Sequence, residues 1–298
     1  MSNTYNQPSV NLAKPVDTVT AHILRGVSKA ATVLKIDFFV AGAMARDIVL
    51  VNVWGQAPGR ATRDIDLGVA VEDWVQFDLL KAGLCEQREF RVVPKISHRL
   101  LYSAGEAFPD LPIDLIPFGG VADAGGQITW PPKDEVIMSV AGFRDAQRSA
   151  LPIRIEEHLI VPVASLAGLV ILKLLAWDDR RMETNKDALD LCRVLSTYDR
   201  AGNEDRLFEQ ELPLLEDTGF DIPLAAARLL GRDSSALCGP DVRHRIVALL
   251  QSQERMEQLV NQMASRGWLG DDERSLDYAS LCVDKFRQGF LESETTAP

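Results

Sequence analysis

Phe39-Val-Ala-Gly-Ala-Met-Ala-Arg-Asp47, followed at a short remove by Thr62-Arg-Asp-Ile-Asp-Leu67, contains two changes of period that organise the rest of the chain. The apolar run Phe38 to Ala41 ends on Gly42 and predicts a strand that turns at once into a helix over about 43–53. From Arg63 to Val71 polar and apolar residues alternate, which is the period of a strand. Asp64 and Asp66 therefore share one face, while Ile65 and Leu67 point to a core. Pro112-Ile-Asp-Leu-Ile116 repeats the pattern, with Asp114 framed by Ile113 and Leu115.

Working outward, Ile23, Leu24, Val27, Ala31 and Leu34 recur at three- and four-residue spacing, so a helix is expected from Asp17. A second is expected over 73–83, with Asp73 placed to cap it. Strands are expected at 90–93, 99–103, 113–117 and 127–130, and one or two more over 152–163. From Ala164 the period becomes helical and stays so: 164–177, 186–198, 204–217, 223–230, 242–265 and 275–291. Mixed strands and helices followed by helices alone predict an α+β fold, a mixed β-sheet domain over 1–163 and an all-helical domain over 164–298.

The 298 residues are 46% hydrophobic and 25% charged, ordinary values for a soluble globular protein, which excludes disordered and fibrous classes. The longest apolar stretch, Leu159 to Leu172, is interrupted by Pro162 and too short to span a bilayer. With no charged or apolar leader at the N-terminus and four cysteines at least 44 residues apart, a reduced, cytoplasmic protein is expected. Net charge is −11, and it is uneven: residues 1–150 carry 15 basic and 17 acidic side chains, residues 201–298 carry 10 and 18. A polyanion would have to bind in the first two-thirds of the chain; the acidic last third otherwise serves solubility.

Two carboxylates side by side repel each other, and a bound divalent cation removes that cost. If the Asp114 strand lies beside the Asp64/Asp66 strand, three carboxylates converge. Such an oxygen-only triad suits two magnesium ions, with manganese an alternative, for in-line phosphoryl or nucleotidyl displacement. Gly42 permits close backbone approach, and the helix that follows offers unpaired N–H groups to a phosphate. No GxSxG or P-loop pattern is present, and His22, His98, His158 and His244 lack metal-ligand spacing. Trp130-Pro-Pro132 is a rigid turn or, alternatively, part of an acceptor groove.

The order Gly42-Ala43, Asp64-Ile-Asp66, Asp114 resembles the DNA polymerase β-type nucleotidyltransferase superfamily. Within it the chain is most similar to the AbiEii/AbiGii-type nucleotidyltransferases of bacterial toxin–antitoxin and phage-defence systems. Two later motifs of that family match Lys173-Leu-Leu-Ala-Trp-Asp-Asp-Arg180 and Lys186-Asp187-Ala-Leu-Asp190-Leu191. The resemblance covers about residues 36–198. It implies a nucleotidyltransferase of the 2.7.7 class, using a nucleoside triphosphate, with Asp64, Asp66 and Asp114 as catalytic and metal-binding residues. It also implies that Gly42, Ala43, Arg46, Lys173, Arg180, Lys186 and Asp187 line the nucleotide site, completed by the helical domain. Ala43 stands where many relatives have Ser or Gly, which shifts triphosphate binding onto backbone donors and basic side chains.

Read as residues alone, Lys173 either snorkels from an apolar helix or meets an anion. Asp187 and Asp190, with Arg180, Arg181 and Lys186 nearby, form either an ion-pair network or a catalytic wall. Arg46 and Asp47 suit a structural pair as well as a nucleotide contact. Ala41 to Asp47 is also similar to the helix start of tRNA CCA-adding enzymes and poly(A) polymerases, so the expected acceptor is RNA, a tRNA 3′ end among the candidates, with a cognate antitoxin as a further partner. The alternatives are a small-molecule, antibiotic-type acceptor and a non-catalytic nucleotide-binding module.

Overall fold

The computed structural model describes residues 8–59, 64–105, 109–131, 137–265 and 273–292. Thr62, Arg63 and Pro132 lie outside the described residues. Contacts divide the chain into two compact units, one ending at Ser165 and the other beginning at Leu166.

The first unit opens with β1 (Val10–Asn11), α1 (Thr18–Leu34) and β2 (Asp37–Ala41). The chain turns at Gly42 into α2 (Gly42–Asp47), which continues as a π-helical segment over Ile48–Val53. Then come β3 (Ile65–Val71), α3 (Trp74–Cys85), β4 (Phe90–Val92), β5 (Arg99–Tyr102), β6 (Leu111–Gly119), β7 (Gln127–Thr129), β8 (Ile137–Ser139), α4 (Phe143–Arg148), β9 (Leu151–Glu156) and β10 (Leu159–Val163). Eight strands form one mixed sheet in the order β1-β9-β10-β2-β3-β6-β5-β4, and β7 pairs with β8 apart from it.

Local chemistry explains the main boundaries. Asp17 caps α1 by accepting from the Thr20 N–H at 2.9 Å, and Asp73 caps α3 by accepting from the Gln76 N–H at 2.8 Å. At the centre of the sheet β2 runs antiparallel to β3, with Ala41 opposite Asp66. β3 runs parallel to β6 in unbroken register from Ile65↔Ile113 to Val71↔Gly119, which sets Asp66 opposite Asp114. On the face away from Asp66, Ile65, Leu67, Val69, Ile113 and Leu115 are buried. Each such side chain contributes about 1.5–3 kcal/mol through burial. On the Asp66 face, Phe39 and Phe118 meet Phe143 of α4 with ring centroids 5.7–6.0 Å apart.

The second unit is helical throughout its described residues: α5 (Leu166–Arg180), α6 (Lys186–Leu195), a π-helical turn (Asp199–Asn203), α7 (Glu204–Glu209), α8 (Leu212–Asp217), α9 (Ile222–Leu237), α10 (Pro240–Leu250), α11 (Gln253–Ala264) and α12 (Glu273–Glu292). Three boundaries depart furthest from the sequence expectation. The helix expected over 204–217 breaks before Leu212, because Pro213 at the start of α8 has no N–H to continue the ladder. The helix expected over 242–265 breaks at Ser252, whose hydroxyl caps α11 by accepting from the Arg255 N–H. The one expected over 223–230 runs on to Leu237. β1, β8 and α4, in segments with no sustained period, were not anticipated.

α9 and α12 touch backbone to backbone at Gly231 and Gly289. A Cβ on Gly231 would run into the Phe286 carbonyl oxygen, and one on Gly289 into that of Arg228. Gly231→Ala or Gly289→Ala should therefore cost about 1–3 kcal/mol by overpacking, read as a lower urea midpoint. A midpoint equal to wild type would show that the crossing has slack.

Candidate active site

Asp64 immediately precedes β3, Asp66 is its second residue and Asp114 lies in the first half of β6. Each offers one carboxylate oxygen within 4.8 Å of the others. The pairings Ala41↔Asp66 and Asp66↔Asp114 carry the same row across three adjacent strands, so the turn at Gly42 abuts the carboxylates. Gly42 adopts φ +62°, where a side chain is disfavoured, and a Cβ there would overlap the Asp66 carboxylate. Asp114 is buried, with Asp64 and Asp66 half-buried. An all-oxygen set of three acidic donors at this spacing fits a hard divalent cation such as magnesium.

Arg99 completes the cluster. Its Nε donates to Asp114 Oδ1 at 2.6 Å and its Nη2 to Oδ2 at 2.6 Å, a bidentate pair between cross-strand partners on β5 and β6. The hydrogen bond to Asp114 holds the guanidinium above its ordinary pKa, and the charges of Asp114, Asp64 and Asp66 act in the same direction against a smaller burial effect. His98 Nε2 stands 4.0 Å from Asp114 Oδ1. Burial draws this imidazole below its ordinary pKa, outweighing the opposite pull of Asp114. The sequence reading missed both residues. Only the β5–β6 register brings Arg99 opposite Asp114, and no local spacing around His98 signals it.

The remaining candidates separate into places. Ala43 is buried in the first turn of α2. Arg46, 2% exposed, pairs with Asp47 at 2.8 Å, so its guanidinium is held inside the first unit. In the second unit, Lys173 Nζ donates to Asp187 Oδ1 at 3.0 Å and lies 2.7 Å from Asp190 Oδ2. Arg180 donates through Nε and Nη2 to the two oxygens of Asp187 at 2.6 and 2.9 Å. Asp187 is fully buried, whereas Lys186 beside it in sequence is exposed.

This network decides between the two behaviours open to Lys173. The ammonium meets anions inside the helical unit and does not snorkel into water. Burial pulls Lys173 down, but Asp190 and Asp187 outweigh it and hold it above its ordinary value of 10.5. Burial pushes Asp187 up, but Arg180 and Lys173 outweigh that and hold it below 3.8. By linkage, the Asp187 contribution is full above 3.8 and fades as pH falls through its lower folded value. The Lys173 contribution is full below 10.5 and fades as pH rises through its higher folded value.

Lys173→Met removes the cation shared by two buried carboxylates, of which Asp187 keeps Arg180, and should cost about 3–5 kcal/mol at neutral pH. The deficit, measured by urea unfolding, should shrink as acid protonates them; a pH-independent deficit would contradict the charge account. Gly42→Ala should cost about 1–2 kcal/mol for the left-handed backbone and, by displacing Asp66, weaken manganese binding measured by calorimetry. Wild-type affinity would separate the turn from the cluster.

The family model for the nucleotidyl transferase AbiEii toxin of type IV toxin–antitoxin systems matches residues 28–268. No curated protein matches the chain. Among solved structures, ANT(2")-Ia in complex with adenylyl-2"-tobramycin is similar at 18% identity and TM-score 0.39, over 63% of this chain and 99% of that one. An antigenic nucleotidyltransferase-like protein from Paracoccidioides brasiliensis is similar at 18% identity and TM-score 0.40, over 68% and 93%. A CCA-adding enzyme with ATP is similar at 15% identity and TM-score 0.25, over 89% and 66%. With the family's model covering most of its length, the chain belongs to the AbiEii family of nucleotidyl transferase toxins.

Proposed function

We propose that this protein transfers a nucleoside monophosphate from a nucleoside triphosphate to a hydroxyl of RNA, with the 3′ end of tRNA as a candidate acceptor, and that it acts as a cytoplasmic toxin paired with an antitoxin. The observation that carries the reading is the convergence of Asp64, Asp66 and Asp114 beside the Gly42 turn. A non-catalytic module would have no need to hold three carboxylates together against their repulsion. No helix among the described residues is long and apolar enough to cross a membrane.

Asp64, Asp66 and Asp114 would hold two magnesium ions, or manganese in their place. When bound, these supply charge neutralisation on the triphosphate and lower the pKa of the attacking hydroxyl. Asp114 orients the acceptor hydroxyl or takes its proton, and Arg99 fixes the carboxylate by gripping both its oxygens. The acceptor oxygen bonds to the α-phosphorus as that phosphorus parts from the bridging oxygen, and pyrophosphate leaves. The backbone at Gly42 and Ala43 approaches the phosphates, while Arg46 supports the turn through Asp47. Lys173, Arg180, Lys186 and Asp187, within residues 164–298, are the further nucleotide-binding candidates. Positioning and charge neutralisation do most of the catalysis.

A second reading, a cationic small-molecule acceptor, is favoured by the net charge of −11. Mass spectrometry of total RNA incubated with the protein, magnesium and each triphosphate separates the two. The RNA reading expects a mass gain of one or more nucleotides on RNA. Asp64→Ala or Asp66→Ala should lower the rate by at least about 100-fold without lowering the melting temperature. Incorporation into small molecules but not RNA would move the assignment to the second reading, and full activity in both variants would remove the transferase site.

A further inference from the structure

We propose, resting on the transferase reading above, that His98, Trp130 and Trp74 form an acceptor subsite beside Asp114, stacking the terminal bases of single-stranded RNA so that its 3′ hydroxyl meets the carboxylate. The rings make a continuous file. From His98, 4.0 Å from Asp114, the centroid separation is 5.5 Å to Trp130 and then 5.2 Å to Trp74. Phe77 backs both tryptophans at 5.7 and 5.8 Å.

A small satellite core would also cluster rings, but it would enclose them and pair their polar atoms. Here Trp74 and His98 are only half-buried. Trp130 is 6% exposed, yet its indole N–H has no acceptor among the described residues. Buried donors are almost always paired. The N–H is enclosed, so a base carbonyl, ring nitrogen or phosphate oxygen of a bound strand would reach it as the half-buried rings of Trp74 and His98 part.

Two basic side chains accompany the rings. Lys81 lies over the Phe77 ring at 5.4 Å, and Arg99 grips Asp114 from β5. In an otherwise acidic chain, cations and aromatic faces meet at this place, the combination by which proteins hold single-stranded nucleic acid. Arg99 is held by Asp114 and Lys81 lies 4.0 Å from Asp78, so the aromatic faces, more than net charge, carry the preference for a strand of bases.

The test is binding of a 5′-fluorescein-labelled single-stranded oligoribonucleotide by anisotropy, without triphosphate, with tryptophan quenching by the unlabelled strand as a second readout. Trp74→Ala should weaken binding by about 5- to 150-fold, the range for loss of one stacked base, and Trp74→Phe should restore most of it. Trp130→Phe, which keeps a ring and removes only the N–H, should weaken binding severalfold, and the blunt duplex of the same sequence should bind more weakly than the strand. In turnover, Trp74→Ala should raise the KM for RNA and leave that for the triphosphate unchanged. Wild-type affinity in folded Trp74→Ala and His98→Ala, or equal affinity for strand and duplex, would overturn the subsite. Failure of the transferase reading would look different: ring-dependent binding of the strand with no nucleotide incorporated by wild-type protein.

Discussion

β3 and β6 are parallel neighbours locked in one register, and that pairing brings Asp66 level with Asp114. Side chains in a strand alternate between faces, so a slip of one residue would send Asp114 to the opposite side of the sheet. What prevents the slip is apolar. Ile65, Leu67 and Val69 on one strand and Ile113 and Leu115 on the other are fully or almost fully buried, and a shift would expose them all. The hydrophobic effect thus holds in place two carboxylates whose charges oppose the arrangement. Gly42 adds the third side, since only a residue without Cβ lets the β2 turn come up against Asp66.

Both units neutralise packed aspartates with a basic side chain, but to different ends. In the helical unit, Asp187 and Asp190 close around Lys173, with Arg180 on the outside, and Asp187 is wholly enclosed. Removing one cation there weakens the compensation of charges held in low dielectric, so the network contributes to the integrity of this unit. In the sheet unit, Arg99 engages one of three carboxylates, and Asp64 and Asp66 keep some exposure. That is an electrostatic environment a divalent cation can enter, with Arg99 orienting Asp114.

Much of this was legible in the amino-acid sequence because the signals are local. The alternation around Asp64-Ile-Asp66 and Ile113-Asp114-Leu115 identifies strands and the face of each carboxylate, and Gly42 marks the turn. The placement of Arg99, His98 and Trp74 was not legible, because it depends on which strand lies beside which and in what register, and Trp130 stood out only as a rigid turn or part of an acceptor groove. The helix breaks at Pro213 and Ser252 were within reach, one from a residue lacking an N–H and one from a capping hydroxyl. The apolar period running through them favoured longer helices. Lys173 shows the limit from the other side: its interruption of an apolar helix signals an anionic partner, but only tertiary packing identifies Asp187 and Asp190.

The account stands on three carboxylates acting together as a cation site, and diffraction from crystals soaked in manganese, collected at an anomalous wavelength, addresses that most directly. The expected result is an anomalous peak within bonding distance of oxygens from Asp64, Asp66 and Asp114, absent from the Asp66→Asn protein. No peak at the cluster at saturating manganese, or one that persists unchanged in the variant, would contradict it.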